Sequence, residues 1–168
     1  AKAPVLAPPI TYVADGQQYV SVFTGMGTSG GYLGPLLEQF GLNPRTQARR
    51  VLTFKIGGDA SLPETIDDPM QFAEDPDLEI DQASVERGNG IFAAKCALCH
   101  GFRAVSVGAA TDLRESYLPQ SQEGFDAVVR EGGLTSMGMP QFGELSDREL
   151  GDLRHYIRVE TATAKAKN

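Results

Sequence analysis

The sequence has no tryptophan, few aromatic residues and no apolar run of the length that a membrane span requires. Only 8% of its 168 residues are aromatic, and no stretch approaches the ~20 consecutive apolar residues of a spanning helix. The chain is therefore not expected to cross a membrane. Its length is that of one ordinary domain, or of a small domain with an appendage. Its 19 glycines and 10 prolines are typical of a loop-rich globular protein.

Positive charge is also scarce. The chain has 15 Lys and Arg residues against 22 Asp and Glu residues, a formal net charge of -7, and this balance argues against a nucleic-acid partner. Nine of the acidic residues lie between residues 57 and 81, where no basic residue occurs. Without these nine, 13 acidic residues face 15 basic ones. We interpret residues 59–80, which also contain three prolines, as a solvated acidic linker.

The N-terminal third has strand patterns. Two runs of β-branched and aromatic residues flank Asp15-Gly16, a dipeptide that favours a type I′ turn, so residues 10–23 are predicted to form a hairpin. A glycine-rich loop is predicted over residues 24–32, and a third strand over residues 50–56. Three strands bury too little surface to be stable alone, and we expect residues 1–58 to belong to a larger β-structure.

The pattern becomes helical from Asp81, which is predicted to cap a helix over Gln82–Lys95. A second, shorter helix is predicted from Ser121, and a third from a capping box that begins at Ser146. Small helices joined by long loops have few apolar side chains for a core, so the module needs another group at its centre. The final residues, 161–168, are rich in Ala, Thr and Lys and are predicted to form a flexible tail.

The two cysteines stand together in the motif Cys96-Ala97-Leu98-Cys99-His100. This C-x-x-C-H pattern is typical of c-type haem attachment. Two thiols about one turn apart can each bond a vinyl-derived carbon on the same porphyrin edge, and the next residue can place its imidazole under the iron. The motif predicts one covalent haem c, attached at Cys96 and Cys99, with His100 as an axial ligand of the iron.

Three other interpretations of this motif stay open. A thiol-redox module shares the C-x-x-C pattern, although it normally lies near a strand-helix-strand unit that the sequence does not predict. A structural zinc ion would need all four Cys and His side chains, including His155, and adjacent Cys99 and His100 do not match finger spacing. A disulfide between Cys96 and Cys99 would leave His100 without a role.

A second axial ligand is expected downstream, where two methionines compete. A thioether is soft and uncharged, so it favours the reduced iron. Pro140 disfavours a helical conformation of the residue before it, and we therefore predict Met139 as the ligand, with Met137 as the alternative. His155 is interpreted as a surface or rim histidine. Arg114 is a candidate for contact with a haem propionate, because a buried carboxylate needs a compensating charge.

With these residues in place, residues 81–160 resemble the class I cytochromes c. The resemblance rests on the haem motif, on Met139-Pro140, and on paired positions of the first and last helices, namely Gly88, Phe92, Leu153 and Tyr156. It implies a mainly α fold of small helices around a covalent haem. It also implies that the first and last helices cross closely at Gly88.

The N-terminal part is similar to another family. Residues 8–12, 15–20 and 50–55 resemble the closing segment of the β-propeller in quinohaemoprotein alcohol dehydrogenases, which carry a cytochrome c domain after the propeller. The resemblance implies that pyrroloquinoline quinone (PQQ) and calcium bind in the rest of the propeller. This chain alone is not expected to bind them or to oxidise an alcohol.

The two resemblances together imply electron transfer. The chain is expected to accept electrons from reduced PQQ in a partner or missing dehydrogenase propeller and to pass them to an external acceptor, either a small redox protein or a quinone. It would then be part of a periplasmic oxidoreductase that acts on alcohols or sugars. Two alternatives are a free-standing soluble class I cytochrome c with a β extension and a thiol-redox module.

Overall fold

The three described strands precede the four helices whose bounds are given below. The structure, a computed structural model, describes residues 4–5, 7–25, 36, 39, 49–64, 69–106 and 110–167. Most of the predicted glycine-rich loop lies outside these residues. Within the described part of the chain, no helix is both long and apolar enough to cross a membrane.

The predicted hairpin and third strand are confirmed. Strands β1 (Ile10–Ala14), β2 (Gln17–Thr24) and β3 (Arg50–Lys55) form an antiparallel sheet in the order β1-β2-β3. Asp15 and Gly16 have φ angles of 49° and 73°. These positive values are what a two-residue type I′ turn requires, which explains why Asp-Gly ends the first strand and begins the second.

Both faces of this sheet carry exposed apolar side chains. On one face the rings of Tyr12 and Tyr19 stack at 5.4 Å, and Phe23 lies opposite Val51 with both side chains more than half exposed. On the other face Val13, Val20 and Phe54 are exposed, at 71%, 37% and 55%. Leu52 is buried, at 8%, but large apolar side chains on both sides of the sheet are exposed, as expected for a part of a larger β-structure.

Helix bounds agree closely with the sequence pattern. The helices with both ends in the described part of the chain are α1 (Gln82–Lys95), α2 (Ala97–His100), α3 (Gln122–Val129) and α4 (Asp147–Lys165). Short 3₁₀ turns cover Phe102–Ala104, Leu113–Glu115, Leu118–Gln120 and Thr135–Met137. The predicted caps are confirmed: Asp81 accepts from the N–H of Ala83, and Ser146 forms a capping box with Glu149.

The core is centred on the crossing of α1 and α4. Phe92 and Leu153 are each 1% exposed, and the rings of Phe92 and Tyr156 lie 5.3 Å apart. A Cβ atom added to Gly88 would lie 2.7 Å from the Cβ of Tyr156 and nearer still to the carbonyl oxygen of Asp152. The helices therefore approach at Gly88 as closely as a glycine allows, as the resemblance implied.

A buried carboxylate ties the two crossing helices together. Asp152 of α4 is 6% exposed. It accepts hydrogen bonds from the hydroxyl of Ser84 at 2.6 Å and from Nε and Nη2 of Arg87 at 2.6 and 2.9 Å. Hydrogen bonding to Arg87 is the main reason why the pKa of Asp152 lies below its ordinary value. These charge-assisted bonds offset the cost of burying the carboxylate.

The predicted flexible tail is wrong up to Lys165. Helix α4 continues to that residue, and Thr161, where the tail was expected to begin, is 6% exposed. The reason is packing by residues 70–81, which we call the strap. In the strap Ala73 is 3% exposed, and Asp75 is paired with Arg158 of α4. This half of the predicted solvated linker is therefore fixed on the last helix.

Candidate haem site

The C-x-x-C-H motif lies where α1 ends. Cys96 caps the C-terminus of α1 and precedes α2 directly. The N–H of His100 donates to the carbonyl of Cys96 at 2.9 Å, so the motif is wound into a single helical turn. Cys96 is partly buried, Cys99 is exposed, and the two thiols are not bonded to each other.

An apolar cleft opens beside this turn. Cys96, His100 and Met139 contribute to its lining. Most of the other lining residues are apolar and come from the helices and their connecting segments, including Phe125, Val129, Leu134, Leu153 and Ile157. No charged side chain is among the described residues that line it. Such walls suit a large, flat and mostly apolar ligand.

His100 has one ring nitrogen engaged and one left for a ligand. Its Nδ1 lies 3.1 Å from the carbonyl oxygen of Thr111. A carbonyl oxygen only accepts hydrogen bonds, so Nδ1 carries the proton, and in the neutral ring Nε2 then keeps its lone pair. This arrangement is the one in which an imidazole binds a metal through Nε2. The partner is a backbone atom of a loop residue, and no sequence signal identified it in advance.

The structure separates the two candidate methionines. Met139 is partly buried, packs against the core and lines the cleft, whereas the side chain of Met137 is 81% exposed. The turn Thr135–Met137 ends at Gly138, which has a φ of 91°. The left-handed conformation of Gly138 changes the direction of the chain. Met139 therefore lies against the core, and Met137 does not.

Two observations count against the thiol-redox and zinc interpretations. Burial raises the pKa of the Cys96 thiol to about 11, so this thiol is protonated near neutral pH. Reactive thiols in thiol-redox modules instead have lowered pKa values. Among the described residues, no group of three or more His, Cys, Asp and Glu side chains could hold a metal ion.

Arg114 and His155 lie away from the cleft lining. Arg114 makes a two-point ion pair with Asp112, at 2.9 and 2.8 Å, and borders a different groove. Its contact with a haem propionate stays a prediction. His155 is half-buried on α4, where its Nε2 accepts the backbone N–H of Asp81 at 3.1 Å. It is therefore not placed to serve as an iron ligand.

Comparison with known proteins agrees with this geometry. Residues 83–157 match the family described as "Cytochrome C oxidase, cbb3-type, subunit III". The chain is 36% identical, over 96% of its length, to the quinohaemoprotein alcohol dehydrogenase ADH-IIG of Pseudomonas putida, of which it covers 22%. It is 35% identical, over 94% of its length, to the dehydrogenase subunit of an alcohol dehydrogenase (quinone) of Gluconobacter oxydans, of which it covers 21%.

A solved structure extends the likeness to three dimensions. The structure of quinohaemoprotein alcohol dehydrogenase ADHIIG from Pseudomonas putida HK5 superposes with a TM-score of 0.77 at 32% identity, over 99% of this chain and 24% of that one. The chain is a homologue of the quinohaemoprotein alcohol dehydrogenases and corresponds to their C-terminal cytochrome part. It spans about a fifth of the length of the curated relatives it matches.

A cytochrome c-type domain in a quinohaemoprotein implies haem, and the residues present fit that group. The cleft offers apolar walls, an imidazole with a free Nε2 and a thioether on Met139. The two thiols of the attachment motif are one turn apart and are not joined as a disulfide. Cys96, Cys99, His100 and Met139 are therefore the residues that fit a haem.

Proposed function

We propose that this chain is the electron-transfer end of a periplasmic PQQ-dependent dehydrogenase. It would carry one haem c, covalently attached at Cys96 and Cys99 and ligated by His100 and Met139. It would receive electrons from reduced PQQ in the preceding propeller and deliver them to an external acceptor, a small redox protein or a quinone. The observation that carries the proposal is the apolar cleft on which Cys96, His100 and Met139 meet.

The cofactor and the protein would contribute different parts of the electron transfer. A bound haem supplies a one-electron couple at its iron, so the two electrons of a reduced quinone leave in two successive transfers. The protein sets the conditions. The carbonyl of Thr111 holds the imidazole of His100 in one tautomer, and the uncharged thioether of Met139 favours the reduced state. The apolar walls exclude water and disfavour the extra charge of the oxidised state.

The β-sheet supports the dehydrogenase half of the proposal. Its two faces carry exposed apolar side chains, such as Phe23 on one face and Phe54 on the other, which is what a piece of a larger sheet structure would show. The relatives are roughly five times longer than this chain. We place PQQ and calcium in that additional length and do not assign either of them to this chain.

Haem attachment is tested by mass and by spectrum. The protein is produced in a host that matures c-type cytochromes, and the denatured polypeptide is weighed. A mass increased by one haem, together with a c-type visible spectrum, is expected for the wild type, and loss of the covalent bond is expected when Cys96 and Cys99 are both changed to Ala. A colourless wild-type protein with two titratable thiols would overturn the proposal.

The methionine assignment has a matched pair of variants. Met139→Ala should abolish the sulfur-to-iron charge-transfer band and lower the reduction potential, because a harder ligand such as water would replace the thioether. Met137→Ala should leave both nearly unchanged, since that side chain is exposed. The opposite pattern would transfer the role to Met137.

A further inference from the structure

The strap follows the last helix in an antiparallel direction. Its polar contacts to α4 run from Asp81 with His155, through Asp75 with Arg158, to Glu74 with Lys165. Residue numbers in the strap therefore decrease along these contacts while those on α4 increase. At the far end, residues 70 and 72 line a groove with residues 160, 164 and 167. The strap therefore spans the C-terminal half of α4.

The Asp75–Arg158 pair is the strongest of these contacts. Both oxygens of Asp75 accept from the guanidinium, Oδ2 from Nε at 2.6 Å and Oδ1 from Nη2 at 2.8 Å. The side chains are 15% and 19% exposed, so water screens the pair far less than it screens the exposed pair of Glu74 and Lys165. A two-point, charge-assisted pair of this kind fixes orientation as well as distance.

The beginning of the predicted linker is fixed as well. Nη2 of Arg50, the first residue of β3, donates to the carbonyl of Pro63 at 2.9 Å. Among its described residues, the linker of residues 59–80 therefore contacts the sheet at residue 63 and lies along α4 from residue 70. Only residues 64–69, about six, separate the two anchored parts.

We propose that Asp75 and Arg158 form a positioning pair, which clamps the strap and keeps the haem domain close to the dehydrogenase part that precedes it. This role rests on the function proposed above. Electron tunnelling slows exponentially with the distance between cofactors, so a short connection raises the fraction of time that the domain spends within range. The pair acts on transfer through the position of the domain and touches neither cofactor.

The size of the effect follows from the length of free chain. Six residues, 64–69, lie between the anchors, and seventeen, 64–80, would lie between Pro63 and Asp81 if the whole strap left α4. Effective concentration falls roughly as the −3/2 power of tether length, so release of the whole strap would lower it about fivefold, and loss of the ion pair alone sets the reduction somewhere up to that limit.

The test uses the full-length, PQQ-loaded dehydrogenase. Reduction of its haem after addition of an alcohol is followed in a stopped-flow spectrometer, for the wild type and for Asp75→Asn with Arg158→Gln. The variant should reduce its haem more slowly, by up to about fivefold, with an unchanged haem spectrum and reduction potential and an unchanged alcohol turnover with a soluble artificial acceptor. Limited proteolysis should cut the linker faster. Arg148→Gln, a substitution of an exposed arginine on the same helix, should change none of these measurements.

The charge-reversed pair gives the rescue. Asp75→Arg with Arg158→Asp can rebuild the ion pair and should return both the reduction rate and the protease resistance towards wild type. A linker that is cut faster in the double variant while haem reduction keeps its rate would overturn the positioning role. A linker that is cut no faster would overturn the clamp. A wild-type haem that dithionite reduces and the alcohol does not would instead overturn the function proposed above.

Discussion

Helices α1 and α4 approach each other at Gly88 so closely that an added side-chain atom must displace one of them. Gly88 of α1 faces the backbone of Asp152 and the Cβ of Tyr156 on α4, and an added methyl group would lie 2.7 Å from that Cβ. Ordinary contact begins at about 3.4 Å, so in Gly88→Ala the helices would have to separate by at least about 0.7 Å. The obstacle is largely backbone, which cannot rotate away.

The expected cost has two parts of opposite sign. Overpacking of a well-packed core typically costs about 1–3 kcal/mol, and contact with backbone places Gly88→Ala at the upper end. Alanine in place of glycine within a helix recovers about 1 kcal/mol. The net loss is about 2 kcal/mol. For a domain of about 80 residues, the length of the predicted haem domain at 81–160, this lowers the melting temperature by roughly 8–16 °C.

Gly90→Ala provides the control on the same helix. Nothing lies within 4 Å of the position where its Cβ would be, so this variant should gain about 0.5–1 kcal/mol from helix propensity alone. Unfolding of both haem-loaded variants is followed by far-ultraviolet circular dichroism during heating. If Gly88→Ala melts at or above the temperature of Gly90→Ala, the two helices do not cross as described.

Three further predictions concern stability. The pKa values of Asp75 and Asp152 are lowered mainly by hydrogen bonds from their arginine partners. The contribution of these two carboxylates to the free energy of unfolding should therefore be complete above the unfolded pKa of about 4. It should be lost as the pH falls towards the lower folded pKa. Urea midpoints should drop on acidification, and Asp152→Asn should make the midpoint less dependent on pH. Ser146→Ala should cost about 1 kcal/mol in urea unfolding by removing the cap of α4. Leu153→Ala should cost about 2–5 kcal/mol, because its side chain is almost fully buried.

Local signals in the sequence predicted the elements well, whereas long-range contacts were missed. The bounds of α1 follow from Asp81, whose side chain caps the helix, and the Asp15-Gly16 turn determines the hairpin. The extent of α4 could not be predicted in this way. Its last turns are covered by the strap, through pairs such as Lys165 with Glu74, 91 positions apart. Because its partners lie so far along the chain, the strap looked like a solvated linker.

The candidate site shows the same division. The C-x-x-C-H motif and the residue before Pro140 are local patterns, and the cleft contains Cys96, His100 and Met139. The carbonyl of Thr111, which holds the imidazole, carries no residue-specific signal because every residue has one. The partner of Arg114 is a local one that the sequence could indicate, since Asp112 stands only two positions before it.

The open sheet has a practical consequence for work on the isolated chain. Among the described residues, β3 pairs with β2 on one side and with no strand on the other, and Val51 and Phe54 are exposed beside this edge. An edge of this kind is a template for pairing with another copy and for aggregation. A solubility tag, a low protein concentration or co-expression with the propeller proposed above would therefore decide whether the protein stays soluble during purification.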